Sequence, residues 1–170
     1  MALSKIDAAN FLTGTIPDTN INNASLDNVT GLPAGVGGKV LQVVQGSNST
    51  QMSTTSTSLV DTGLTASITP SSSSNKVLII VDAQGQFPAN TGFGNAIVRG
   101  STAIFQTNNY SNYDSTATQT NTRASYCYLD SPSTTASTSY KLQVHAYNPG
   151  TIIQNDGNNK TTMTLMEIEA

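Results

Sequence analysis

The sequence predicts an all-β protein: a jelly-roll-like β-sandwich head carrying a short extended, β-helix-like N-terminal arm. Three observations predict it. Past residue 38 the chain reads as about eight strand-like runs, bounded by clusters of Gly, Pro, Asn, Asp and Ser. Nothing in that region keeps its apolar residues at helical spacing. Before it, large apolar residues recur every five positions, a period that neither a helix nor a strand can hold on one face. The expected division is residues 1–37 as an arm ending in the Pro/Gly hinge "PAGVGG", and residues 38–170 as the head.

In chain order the expected strands are 39–45, 56–69 with an interruption at Gly63, 75–87, 94–100, 101–107, 123–130, 138–148 and 160–169. Pro70 ends the second, because proline cannot donate to a ladder. The connections "SITPSSSSNK", "DSPSTTAST" and "NPGTIIQNDGNN" read as loops, the last with turn signals at Asn148-Pro149-Gly150 and Asp156-Gly157. About eight turn-punctuated strands in one domain are the signature of a sandwich or jelly roll.

The alternation of side chains adds detail. In "SYKLQVHAY", Tyr140, Leu142, Val144 and Ala146 share one face, and Lys141, Gln143, His145 and Tyr147 share the other. That is a half-buried strand with a wet side. "KVLIIV" is apolar on both faces. "TMTLMEI" is mixed, with Met163 and Leu165 on one face and Met166 and Ile168 on the other. The outer face of an isolated sandwich meets water, so a strand apolar on both faces needs a second cover. A neighbouring subunit is the natural candidate.

The arm places Ile6, Phe11, Ile16, Ile21 and Leu26 at intervals of five, with a small residue two places before each. A path that turns a corner in every block keeps them together, and the recurring Asn and Asp suit those corners. This resembles the pentapeptide-repeat pattern, with "AANFLT" and "NASLDN" the nearest phrases and Pro17 a departure. A single coil cannot bury its own apolar face. The segment is therefore expected to be completed by other chains, and these five residues are the candidate assembly set.

Composition excludes several functions. Charged residues make up 10% of the chain and the formal net charge is -3, without the clustered Lys and Arg that phosphate contacts require. No nucleic-acid partner is expected. No apolar run approaches the length of a membrane helix, and the first ten residues lack a signal-peptide core, so synthesis in a cytoplasm without membrane insertion is expected. Cys127, the lone cysteine, sits in "YCYLD" and reads as buried and inert. His145 reads as solvated on its polar face, and a lone His forms neither a triad nor a metal cluster. Glu167 and Glu169 read as a solvated strand end. "GFGNAI" lacks the third glycine and following helix of a dinucleotide loop and reads as a turn. "DTNINN" and "NDGNNK" lack the terminal Glu of a calcium loop. No catalytic residue, cofactor or metal is expected, and the chain is not expected to be an enzyme.

The most interaction-like stretch is residues 106–123, "QTNNYSNYDSTATQTNTR". Asn108, Asn109, Tyr110, Asn112, Tyr113 and Asp114 form the candidate surface-binding set, because Tyr and Asn together make an adaptable contact surface for saccharide or protein. "PANTGFG", flanked by Phe87 and Phe93, is expected beside it.

"NFLTGTIPDTNI" and "VTGLP" are similar to the Thr-Gly-Thr-Ile-Pro phrases of tailed-bacteriophage fibre proteins. "GGKVLQVVQ", "LTASITPSSSSNKVLIIV" and "TMTLMEIEA" resemble the C-terminal domains of fibre and virion surface proteins of marine and cyanobacterial phages. The resemblance implies a homotrimer on the virion surface, joined to other virion proteins through its arm, with the head facing the host. A short tail fibre or spike is the expected role. The alternative is a capsid decoration protein that stabilises the phage head.

Overall fold

The computed structural model describes residues 39–148 and 150–170. The five arm residues from Ile6 to Leu26 and the Pro/Gly hinge lie outside the described residues. Eleven strands follow one another among the described residues: β1 (Val40–Asn48), β2 (Met52–Thr54), β3 (Val60–Ile68), β4 (Lys76–Pro88), β5 (Thr91–Arg99), β6 (Thr102–Gln106), β7 (Asn112–Asp114), β8 (Gln119–Asp130), β9 (Thr138–Ala146), β10 (Ile152–Gln154) and β11 (Thr161–Ile168). They form two antiparallel sheets, and the strand order identifies the fold. Setting aside the three three-residue strands leaves eight. The first sheet then runs β1-β11-β4-β8 and the second β3-β9-β5-β6. First pairs with eighth, second with seventh, third with sixth and fourth with fifth. One long hairpin wrapped across two sheets produces that order, which is the jelly roll.

Alternation explains how the sequence chooses this packing. Every second residue of β3 from Thr62 to Ile68 is buried, as is every second residue of β11 from Thr161 to Glu167. Between the sheets lie Val77, Ile79, Val81, Met163 and Leu165 from the first, and Leu64, Ile68, Phe93, Ile97, Tyr140, Leu142 and Val144 from the second. Phe87 and Phe93 meet edge to face with centroids 5.8 Å apart. Each side chain buried so completely is worth about 1.5–3 kcal/mol relative to exposure.

All eight expected strands exist, and the departures have local causes. The second begins at Val60 and runs through Gly63 instead of breaking there. The ladder shifts register between Asp61 and Thr65, and Gly63 takes φ 80°, a bulge position open to glycine. "GFGNAI" is not a turn but the interior of β5. A Cβ on Gly94 would come 2.4 Å from His145 Nε2, so the glycine makes room for the imidazole laid against it. His145 is accordingly buried, not solvated, with Nδ1 3.3 Å from the Ala146 carbonyl and Nε2 3.4 Å from that of Thr107. Cys127 is exposed. Tyr126 and Tyr128 of the same strand pack inward, and alternation then turns Cys127 and Leu129 out. The interaction-like stretch 106–123 carries β7, the connection "NPGTIIQNDGNN" carries β10, and a 3₁₀ turn at Asp156–Asn158 realises the Asp-Gly signal.

Glu167 departs most from expectation. It is 1% exposed and inside the sandwich, and among the described residues its hydrogen-bond partners are all uncharged. Its Oε2 accepts from Gln42 Nε2 at 2.6 Å. Its Oε1 accepts from the Ser71 amide at 2.6 Å, the Ser71 hydroxyl at 2.7 Å and Asn75 Nδ2 at 2.7 Å. Burial pushes this carboxyl up, but the four donors, led by Asn75, outweigh it and hold it at about 2. Glu169 lies 3.9 Å from Lys39 in an exposed pair.

Candidate binding surfaces

Eight large apolar or aromatic side chains are conspicuously exposed among the described residues, and they sort into two groups. Tyr110, Tyr113 and Tyr147 form one. Val40, Leu41, Val43, Ile80 and Leu129 form the other, on the first sheet.

The tyrosines come from two places in the chain. Tyr113 lies in β7, and Tyr110 precedes that strand. Tyr147 follows β9. β5 brings them together: Gly92 pairs with Tyr113 on one side, and its carbonyl accepts from the Tyr147 amide at 3.0 Å on the other. Lateral neighbours in a sheet project to the same side, and glycine places nothing between the rings. Each tyrosine then touches both others. Centroids lie 5.0 Å apart for Tyr110–Tyr113, 4.7 Å for Tyr110–Tyr147 and 5.7 Å for Tyr113–Tyr147. Such pairs gain about 0.5–1.5 kcal/mol beyond area burial, yet each ring stays roughly two-fifths exposed.

The remaining members of the expected set play different parts. Asn108 and Asn109 are exposed beside Tyr110. Asn112 pairs with Phe93 and donates its side chain to Thr122 Oγ1 at 3.2 Å. Its Oδ1 is buried with no partner among the described residues. Asp114 is spent on its own loop. Its Oδ1 accepts from the amides of Thr116 at 2.8 Å and Ala117 at 3.0 Å, and its Oδ2 from the Thr120 hydroxyl at 3.0 Å. The Ala117 and Thr116 amides, with Thr120, hold its carboxyl down at about 2. Asp114 therefore shapes the loop and offers no free carboxylate. It is the only charged residue from Gln106 to Thr122, so the tyrosine surface is close to neutral. "PANTGFG" does lie alongside: the Asn90 amide donates to the Asp114 carbonyl at 2.8 Å, and Asn148 Nδ2 to the Asn90 carbonyl at 2.9 Å.

Sequence reasoning placed Tyr147 on the wet face of its strand but did not join it to the other two. The signal was an aromatic residue among the polar ones of that face. A separate open hollow of about 360 Å³ is lined by Phe87, Pro88, Gln119, Thr151 and Ile153 among others, and no tyrosine borders it.

The second group occupies the outer face of the first sheet. Cross-strand register aligns Val43, Met166, Leu78 and Leu129 in one row and Thr164, Ile80 and Cys127 in the next. Val40 and Leu41 extend it where β1 bulges. On the second sheet's outer face Asp61 accepts from Lys141 at 3.0 Å and from Gln143 at 2.6 Å, and on the first sheet's outer face Asp82 meets Arg123 beyond the apolar rows. Among the described residues no group of three or more His, Cys, Asp or Glu could hold a metal ion.

No family model matches the chain, and no curated protein matches it. Among solved structures it is similar to one described as the structure of infectious bursal disease virus Gx strain, at 13% identity and a TM-score of 0.41, over 76% of this chain and 37% of that one. The chain thus spans little more than a third of that protein's length. The jelly-roll assignment rests on the strand order above.

Proposed function

We propose that the protein is a structural component of a tailed-phage virion, acting as a short homotrimeric fibre or spike. Its head binds the host surface through the tyrosine cluster, without chemical turnover, and its N-terminal arm attaches it to the particle. The observation that carries the binding role is the mutual packing of Tyr110, Tyr113 and Tyr147 with their faces still open to solvent. Buried aromatic clusters serve cores. An exposed one, ringed by asparagines and nearly free of charge, suits the apolar faces and hydroxyls of a neutral saccharide. The virion assignment rests on the fibre-like phrases of the sequence and on the five-residue period of the arm.

A glycan array probed with the full chain tests the binding role. Binding to neutral glycans is expected, with Tyr147→Ala and Tyr110→Ala each lowering affinity at least tenfold while the fold persists by circular dichroism. Binding that survives both substitutions would refute it. Attachment is tested separately: a chain lacking residues 1–33 should fail to join particles. Copy number per particle separates fibre from decoration protein, with tens expected for the first and hundreds for the second.

A further inference from the structure

We infer that the outer face of the β1-β11-β4-β8 sheet is the contact surface for a second copy of this chain. One register row of the face is apolar across all four strands, with Val43, Met166, Leu78 and Leu129, and the next adds Ile80 and Cys127 beside Gln45 and Thr164. It holds five of the eight conspicuously exposed large side chains among the described residues. Contiguous exposed apolar patches mark interaction surfaces.

One further observation selects a copy of the same chain as occupant, namely where the remaining chain enters. Thirty-eight residues precede Lys39, and they join the fold at β1, the edge strand that supplies Val40, Leu41 and Val43. The period-five pattern in those residues is too short to bury its own apolar positions and calls for neighbouring chains. If those residues gather copies, as their pattern is expected to, further copies of this face come within reach of β1.

Cys127 reports on the contact, because it is the chain's one cysteine and sits within the patch. The experiment combines sedimentation velocity of the full chain with labelling of Cys127 by a polymer-linked maleimide. The expected result is a mass that is a multiple of 17.7 kDa, with labelling at least tenfold slower than in urea-unfolded chain. Leu129→Glu and Val43→Glu, on the two edge strands, should each restore fast labelling. Both positions are about half exposed, so either variant can serve if circular dichroism shows the other misfolded. Fast labelling of the unmodified chain would overturn the inference. So would protection of Cys127 at a mass of 17.7 kDa, which would mean that the chain's own residues cover the face. Protection unchanged in both folded variants would also overturn it. A face that instead docks on a lipid vesicle or another protein would label fast in the purified chain.

Discussion

Tyr113 and Tyr147 meet edge to face, with ring centroids 5.7 Å apart at 89°, across a strand that places no side chain between them. The intervening residue is Gly92, bonded to one tyrosine's strand on each side. A Cβ at position 92 would lie 2.0 Å from the Asn112 carbonyl oxygen. The missing side chain thus lets β7 dock and lets the rings touch.

Gly92→Ala is expected to push β7 off β5 and to separate Tyr113 from Tyr147. Overpacking at a fixed backbone contact costs about 1–3 kcal/mol. The loss should appear as a lower urea midpoint together with a weaker near-ultraviolet circular dichroism signal from the tyrosines. If both stay at the parental values, Gly92 does not organise the cluster.

Glu167 makes stability depend on pH in a definite direction. Its carboxyl is held at about 2 in the folded chain, against an ordinary value of 4.5. As pH falls below 4.5 the unfolded chain takes up the proton first, so protonation favours unfolding. The stabilisation is complete above 4.5 and is lost as pH falls through about 2. Glu167→Gln should lose about 3 kcal/mol at pH 7, since hydrogen bonds to a charged group are worth roughly 1.5–3 kcal/mol and the new amide points donors at donors. It should also flatten the decline between pH 4.5 and 2. Urea midpoints at pH 7, 4.5 and 3 measure both effects.

Gln154 is 1% exposed, and neither end of its amide has a partner among the described residues. A buried polar group left unpaired costs about 1–3 kcal/mol, so Gln154→Met, close in volume, is expected to raise stability by about 1 kcal/mol. A midpoint that falls would mean that the amide is satisfied by ordered water, a common partner for buried polar groups.

The strands were legible because period-two burial is written residue by residue. Tyr140, Leu142 and Val144 could be read inward before any partner strand was known, whereas "KVLIIV" and "TMTLMEI", apolar on both faces, did not show which side faces the core. What stayed hidden depends on residues distant in sequence. Glu167 reads as a surface carboxylate because its donors, Gln42, Ser71 and Asn75, lie more than ninety positions away. His145 reads as wet because nothing local shows that Gly94 lets it lie flat. Cys127 was judged by its apolar neighbours, while its parity in the strand, opposite to Tyr126 and Tyr128, decided its side. The tyrosine surface was half legible: Tyr110 and Tyr113 share a segment, but Tyr147 joins them only through β5.

Two arginine–carboxylate pairs provide the last contrast, because similar geometry sits in different surroundings. Arg99 Nη1 donates to both oxygens of Asp130, at 2.9 and 2.8 Å, and Asp130 is 5% exposed and also accepts from the Tyr140 hydroxyl at 2.7 Å. Arg123 meets Asp82 at 2.8 Å, with both side chains about two-fifths exposed. Water screens the second pair, and exposed pairs contribute about 0–1 kcal/mol. Removing Arg99 strands a carboxylate inside the protein, which costs about 3–5 kcal/mol. Arg99→Ala should therefore lower the urea midpoint far more than Arg123→Ala. Most of that loss should be recovered in Arg99→Ala combined with Asp130→Asn, because the second change removes the stranded charge while keeping a partner for Tyr140. Equal losses for the two arginines, or no recovery in the double variant, would show that Asp130 is reached by water in the folded chain.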